Sequence, residues 1–283
     1  MNFEKKEACR TVSKDKKCKK RPLIIYRDEK NDEFSTAEIK AKSIDANYKY
    51  DRTSGINVLP HFFWYRIVAV PLAFFYLKIK FRHKIVGREK MKGYKREGRF
   101  IFGNHTQIIA DALIPTFVNF PDDAYVVVHA NNVSMPFLGR VTPYMGAIPL
   151  PDGMAAMRGF SDILKKRVEQ GHAVVIYPEA HIWPYYTHIR PFGDESFMYP
   201  VKYGTPVFCF TNTYQKKGRR AHPRLVTYVD GPFYPDEKLP PRERRRKLRD
   251  EVYNAMCERA RLSDVEWIEY RRAEDTQNNE ENV

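Results

Sequence analysis

Cysteine is scarce. Four residues in 283, Cys9, Cys18, Cys209 and Cys257, sit at spacings that match neither a zinc pattern nor a small disulfide framework. Free thiols in a reducing compartment are therefore expected. No Ser stands in a Gly-x-Ser-x-Gly elbow and no Cys in a recognisable catalytic context, which speaks against a covalent nucleophile. The basic start of the chain lacks an apolar core and a small-residue cleavage site, so no secretory signal is expected and the protein should stay in the cytoplasm. Internal repeats and low-complexity tracts are absent. Acidic residues are in deficit, 35 Asp+Glu against 49 Lys+Arg, for a formal net charge of +14. Such a surface attracts nucleic acid, anionic lipid or phosphorylated cofactors without choosing among them.

Against these absences stand 43% hydrophobic and 14% aromatic content, enough to bury the core of one domain. Residues 1–21 read as a disordered basic arm and 273–283 as a disordered acidic tail. Residues 22–55 read as a small extension in which "PLIIYRD" and the turn-prone "EKNDE" suggest a hairpin. The stretch 56–84 is different in kind. From Val58 to Leu77 it offers about 20 mostly apolar residues, nominally enough to span a bilayer. Arg66 sits near its centre, and a central Arg costs about 2.5 to 3.5 kcal/mol, so lying on or dipping into one leaflet fits better than spanning. Phe62, Phe63, Trp64, Tyr65, Phe74, Phe75 and Tyr76, followed by Lys78, Lys80, Arg82 and Lys84, resemble an interfacial anchor beside anionic headgroups. The competing reading is a buried helical hairpin kinked at Pro71.

From residue 99 the pattern becomes α/β: "RFIFGN", "AYVVVHA", the helix "MAAMRGFSDILKKRVEQ", "AVVIYPE", "TPVFCFTN" and "LVTYVDG" alternate short apolar strands with helical segments. In that helix Met157, Phe160, Ile163, Leu164 and Val168 form the apolar stripe, and Lys165, Lys166, Arg167 and Glu169 the polar face. A later segment, "LPPRERRRKLRDEVYNAMCERARL", places Leu248, Val252, Ala255 and Met256 on one stripe of a docked helix whose arginines face solvent.

Strand "RFIFG" delivers Asn104 and His105 to its carboxyl end, where open α/β sheets carry their ligand sites. A carboxylate on one ring nitrogen fixes the tautomer and leaves the other nitrogen free to take a proton, so His105 and Asp111 form a candidate general base. On a regular helix the two would diverge, so His105 must precede the helix proper. A satisfied structural His is the competing reading. Glu179 also falls at a strand end, with His181, Trp183, His188 and Arg190 in the following loop; a plain surface turn is the alternative.

Taken in order, four blocks resemble the glycerolipid acyltransferase family typified by 1-acylglycerol-3-phosphate acyltransferases: "GNHTQIIAD", "GRVTPYMGAIPLPDG", "VVIYPEAHIWP" and "VKYGTPVFCF". The resemblance covers roughly residues 56–230. It implies a mixed central sheet flanked by helices over 85–272, preceded by a membrane-associated helical segment. It also implies that His105 is the general base, that Asp111 orients it and that Glu179 helps to hold the acceptor, without an acyl-enzyme. Five residues rather than four separate His and Asp here. Ala180-His181-Ile182 stands where the family has Gly-Thr-Arg, and Pro151-Asp152-Gly153 replaces the Arg ending the second block. Positive charge for an acceptor phosphate would then come from His181, Arg140, Arg158 or Arg190, with Arg190 the one expected to face the acceptor.

The expected function is transfer of a fatty acyl group from acyl-CoA or acyl carrier protein to a lysophospholipid hydroxyl, lysophosphatidate first among acceptors. It would take place on an anionic membrane surface at the cytoplasmic face, with the protein peripheral or monotopic. No metal, bound cofactor or nucleic-acid partner is expected. Two rivals stand beside it: a basic nucleic-acid-binding module built on the Arg-rich helix, and a metal-dependent hydrolase with His105, Asp111, Glu179 and His181 as ligands.

Overall fold

A computed structural model describes residues 21–34, 40–218 and 222–274. The expected basic arm except Arg21, most of the acidic tail, Cys9 and Cys18 lie outside them; Cys209 and Cys257 are free thiols.

Alternation of apolar side chains builds the centre. In β3 (Arg99–Gly103) every residue is buried. Phe100 and Phe102 join one core and Ile101 the other, because successive strand side chains point to opposite faces. Seven strands form the sheet: β2 (Lys84–Val86), β3, β4 (Ala124–Val128), β5 (Ala147–Pro149), β6 (Ala173–Ile176), β7 (Val207–Gln215) and β8 (Arg224–Phe233), in the order β2-β8-β7-β3-β6-β4-β5. β3 is parallel to both neighbours, β6 and β7, whereas β7 and β8 are antiparallel. The sheet is thus mixed, as expected.

Helices cover both faces. On one lie α1 (Gly55–Phe81) and α2 (Ala110–Val118), whose Leu77, Phe81, Ile114 and Val118 pack on Ile101, Val175 and Phe208. The other carries α3 (Met154–Glu169), α4 (Met198–Tyr203) and α5 (Pro241–Ala260). In α5 the buried stripe is Leu248, Val252, Met256 and Ala260. In α3 the expected stripe needs correcting at both margins: Met157 is exposed, and Arg167 is buried. Arg167 is drawn in by Asp51 at 2.6 Å and by the face of the Tyr125 ring at 4.6 Å. Although burial opposes it, Lys166 and Arg167 hold the Asp51 carboxyl well below the usual carboxylate range.

The hairpin expected in 22–55 is not formed among the described residues. β1 (Leu23–Tyr26) pairs instead in parallel with β9 (Glu269–Arg272), a separate two-stranded sheet joining distant parts of the chain. The pair braces Trp183, which is buried against Tyr26 and Phe34, stacks on Tyr270 at 5.1 Å and donates its indole N–H to the Asp32 carbonyl.

The apolar stretch is one helix rather than a hairpin. α1 runs 27 residues with mean hydropathy 1.5, long and apolar enough by length and composition to cross a membrane. Ahead of Pro71, which cannot donate a backbone hydrogen bond, the helix widens to a π segment over Phe63–Ala69. Its inner face buries Tyr65, Ala69, Ala73, Leu77 and Phe81 at four-residue steps. Arg66 is held by Asp123 and the Pro121 carbonyl, and His61 contacts the same Asp123. Ile56, Leu59, Phe63, Ile67, Leu72, Phe75 and Ile79 remain exposed along the outer side.

Candidate active site

β3 ends at Gly103, where a Cβ would meet the Phe210 ring at 2.3 Å; only glycine lets β7 approach this closely. The next residue locks the strand end. Asn104 accepts the Asn212 backbone N–H at 2.7 Å and returns its amide to the Asn212 carbonyl at 3.1 Å. His105 follows in irregular backbone, five residues ahead of α2, so the requirement that it precede the helix is met.

Its Nδ1 donates to Asp111 Oδ2 at 2.9 Å. The same oxygen accepts the backbone N–H groups of Thr106 and Gln107 at 2.7 and 2.8 Å, which is how the turn absorbs the additional residue between His and Asp. Oδ1 accepts from Asn212 Nδ2 at 3.1 Å. Four donors and no acceptor suit an ionised carboxylate. Burial of Asp111, 1% exposed, pushes its pKa upward, and His105 with the two N–H groups pulls against that rise. With Nδ1 committed as donor, Nε2 carries the lone pair, and among the described residues nothing bonds to it. The ring stacks on Tyr177 at 4.5 Å, and the Tyr177 hydroxyl donates to the Asp111 carbonyl.

Behind Asp111 lies a relay the sequence reading missed. Asp111 can only accept, so the Asn212 amide nitrogen must face it, leaving the amide oxygen to accept the Thr227 hydroxyl at 2.6 Å. Thr227 is then free to accept from His83 Nε2 at 2.8 Å. His83 is buried two residues beyond α1, and desolvation with nearby Lys78 and Arg224 depresses its pKa to about 4, keeping it neutral. One signal was present: Asn212 interrupts a fully buried strand, and a buried amide there needs partners.

Glu179 is brought to His105 in another role than expected. Its carboxylate is 4% exposed and accepts the backbone N–H of His105 at 3.1 Å and that of Arg190 at 3.2 Å. Burial raises its pKa, opposed by Arg190 and those N–H groups. It braces the base rather than meeting an acceptor. The expectation for Arg190 is likewise corrected. The side chain is fully buried, lies over the Trp183 ring and donates to the carbonyls of Glu179, His181 and Glu29. With both terminal nitrogens on carbonyls and the plane over an aromatic face, the guanidinium holds a loop together, although its Nε has no partner among the described residues.

His181 stays partly exposed and is paired with Glu33 at 3.0 Å. Arg158 is exposed on α3, and Arg140 is exposed beyond β4, lining a separate cavity with Lys42 and Arg52. Of the five candidates only Glu179 contacts His105, through the backbone N–H; the four cations do not converge on the imidazole. Nor do the four residues of the metal reading: Glu179 is engaged by backbone N–H groups and His181 by Glu33, and among the described residues no metal-holding group of His, Cys, Asp and Glu assembles. The Arg-rich helix has Arg245 and Lys247 paired with Asp194 and Asp236. A 740 Å³ cavity bordered by Arg88, Lys92, Lys95 and Phe120 lies at the other end of β3, away from the dyad.

A positioned imidazole with one nitrogen fixed by a buried carboxylate and the other open is equipped to remove a proton from a bound hydroxyl. Residues 82–211, which contain His105, Asp111 and Glu179, match the family model described as Acyltransferase. Among solved structures, the 1-acyl-sn-glycerophosphate acyltransferase PlsC from Thermotoga maritima is similar, with a TM-score of 0.51 and 18% identity over 70% of this chain and 78% of that one. No curated protein matches the sequence significantly. The matched segment and the shared α/β architecture agree with the block order read from the sequence: residues 82–211 match an acyltransferase domain, set in a PlsC-like fold.

Proposed function

We propose that the enzyme moves a fatty acyl group from a thioester, acyl-CoA or acyl carrier protein, to the hydroxyl of a lysophospholipid, with 1-acylglycerol-3-phosphate the leading acceptor. The observation that carries this reading is the His105 Nδ1 to Asp111 bond with Nε2 left open. Nε2 takes the acceptor's hydroxyl proton as the oxygen attacks the thioester carbonyl. The tetrahedral adduct collapses, the C–S bond breaks, and the departing thiolate takes the proton back from His105. Asp111 stabilises the imidazolium between the two transfers. No covalent enzyme intermediate is needed.

The acceptor is a membrane amphiphile, and the exposed apolar side of α1 supports docking on a membrane surface, for which the cytoplasmic leaflet is the proposed side. Its outer apolar side continues toward the catalytic turn, because α1 packs on α2 through Phe74 and Phe117 and through Tyr65 and Thr116. Ile108 and Ile109, 55% and 53% exposed, lie in the turn between His105 and α2. Exposed apolar side chains on the catalytic turn itself favour a lipid acceptor over a soluble alcohol. His181, on the loop braced by Glu179 and still partly exposed, is the residue assigned to the acceptor headgroup.

The test is incubation of wild type and His105→Ala with palmitoyl-CoA and a panel of lysolipids, scored by mass spectrometry. Wild type should form a diacyl product, and the variant about 10² to 10⁴ times less with an unchanged circular dichroism spectrum. Equal turnover by the two proteins, or no product from any lysolipid, would sink the reading.

A further inference from the structure

Three cations line a small half-open space to which no acidic side chain contributes. Lys42 and Arg52 come from the stretch leading into α1, Arg140 from the connection between β4 and β5, and together with Tyr48 and Tyr144 they line a 270 Å³ space. No carboxylate lines it. Asp51, next to Arg52 in the chain, is engaged by Lys166 and Arg167, and among the described residues none of the three cations has an ion-pair partner. Like charges facing one half-open space repel each other, and a bound anion relieves the repulsion. Two guanidinium groups and an ammonium suit phosphate oxygens in particular.

The place of the cavity narrows the occupant. It lies on the β4 and β5 side of the sheet, and β5 stands three strand spacings, about 14 Å, from the β3 strand that carries His105. In a glycerol acceptor the phosphate is only a few bonds from the reacting oxygen, on the order of 5 Å, so an acceptor poised at Nε2 cannot also fill this space. The cavity adjoins α1: the Tyr144 carbonyl accepts from His61 Nδ1 at 2.6 Å, and the neighbouring start of the helix exposes Ile56 and Leu59. Its volume fits a phosphate headgroup rather than a whole amphiphile.

We propose that Lys42, Arg52 and Arg140 bind the phosphate of a non-reacting anionic membrane lipid, fixing how α1 lies on the bilayer. This rests on the docking reading given above. The occupant is a lipid rather than the phosphates of the thioester donor because the space borders the exposed apolar start of α1.

The test uses the full chain and phosphatidylcholine vesicles with and without phosphatidate, measured by co-sedimentation. Removing all three charges (Lys42→Ala, Arg52→Ala and Arg140→Ala together) should weaken binding to the phosphatidate vesicles on the order of 100-fold, at about fivefold per cation. Binding to neutral vesicles, which reports α1 alone, should not change. A control lowering net charge equally at exposed sites elsewhere (Lys238→Ala, Arg242→Ala and Arg246→Ala) should keep most of the phosphatidate preference; an equal loss there would show diffuse attraction and overturn the site. Calorimetric titration with coenzyme A forms the second arm. If the triple variant loses coenzyme A affinity and keeps its phosphatidate preference, the anion belongs to the donor and the lipid assignment falls. Failure of wild type to bind either vesicle would defeat the docking reading and this one with it. A triple variant indistinguishable from wild type on both vesicles would overturn the site while leaving docking intact.

Discussion

The catalytic end of β3 and the outer side of α1 are built on opposite terms. Around Asp111 each oxygen receives named donors, and the residues behind it are tied in turn to Asn104, Thr227 and His83. Along α1 the inner face is anchored by Asp123, while apolar side chains stand open on the other. The first region is complete within the molecule, as a preorganised base requires. The second lacks a covering, and exposed apolar area of this extent marks a contact surface. Polar groups are thus paired in the first region, and apolar surface is left unpartnered among the described residues in the second.

The largest effect that would sharpen this contrast comes from Asp111→Asn. An amide offers the ring a different partner set and releases the tautomer, so kcat should fall about 10³- to 10⁴-fold, and the new N–H groups facing buried donors should cost about 1 to 3 kcal/mol of stability. Asn212→Ala, one bond farther out, should cost about tenfold in kcat at unchanged KM. Comparable KM and kcat losses in both variants would show that the network shapes substrate binding instead.

Those bonds also mark how much the sequence could reveal. Strands β3, β4, β6, β7 and β8 and helices α2, α3 and α5 were legible because their periodicity is local. The three-residue strands β2 and β5 were too short to show a period. β1 misled because its partner, β9, lies at the far end of the chain. His105 and Asp111 stood out through strand-end position and the resemblance of "GNHTQIIAD" to the family block, since their spacing alone fits a structural His equally well. Glu179 was assigned to the acceptor by resemblance and Arg190 as a source of positive charge for its phosphate; their burial depends on carbonyls and N–H groups gathered by a loop that no pattern describes. The relay through Asn212, Thr227 and His83 joins three separate elements.

An intermediate effect would probe the open side. Replacing Phe63 and Phe75, 49% and 59% exposed, by Ser should lower partitioning onto neutral vesicles about 100-fold, at about 1.5 kcal/mol or more per aromatic side chain. Folding stability should be nearly unchanged because neither residue is in the core. Unaltered partitioning would erase the distinction between the two regions.

The smallest effect concerns pH. His83 titrates near 4 in the folded protein and near 6.5 when unfolded, so between those values the unfolded chain binds more protons. Its burial therefore contributes stability that is complete above pH 6.5 and is lost as pH falls toward 4. His83→Gln, which keeps a donor for Thr227, should remove about 1 to 3 kcal/mol of the wild-type decline over this range. Urea midpoints measured at several pH values would read it; parallel curves for the two proteins would place His83 outside the buried network.

The pairing of β1 with β9 sets an order on biosynthesis. Trp183 lies in the loop whose Glu179 braces the base, and Tyr26 and Tyr270 from the two strands hold that indole. On the ribosome, the loop is made long before its second clasp. A nascent chain can assemble the sheet and the Glu179 contacts first, and the ring stacking that clasps Trp183 from β9 forms only once residues 269–272 have emerged.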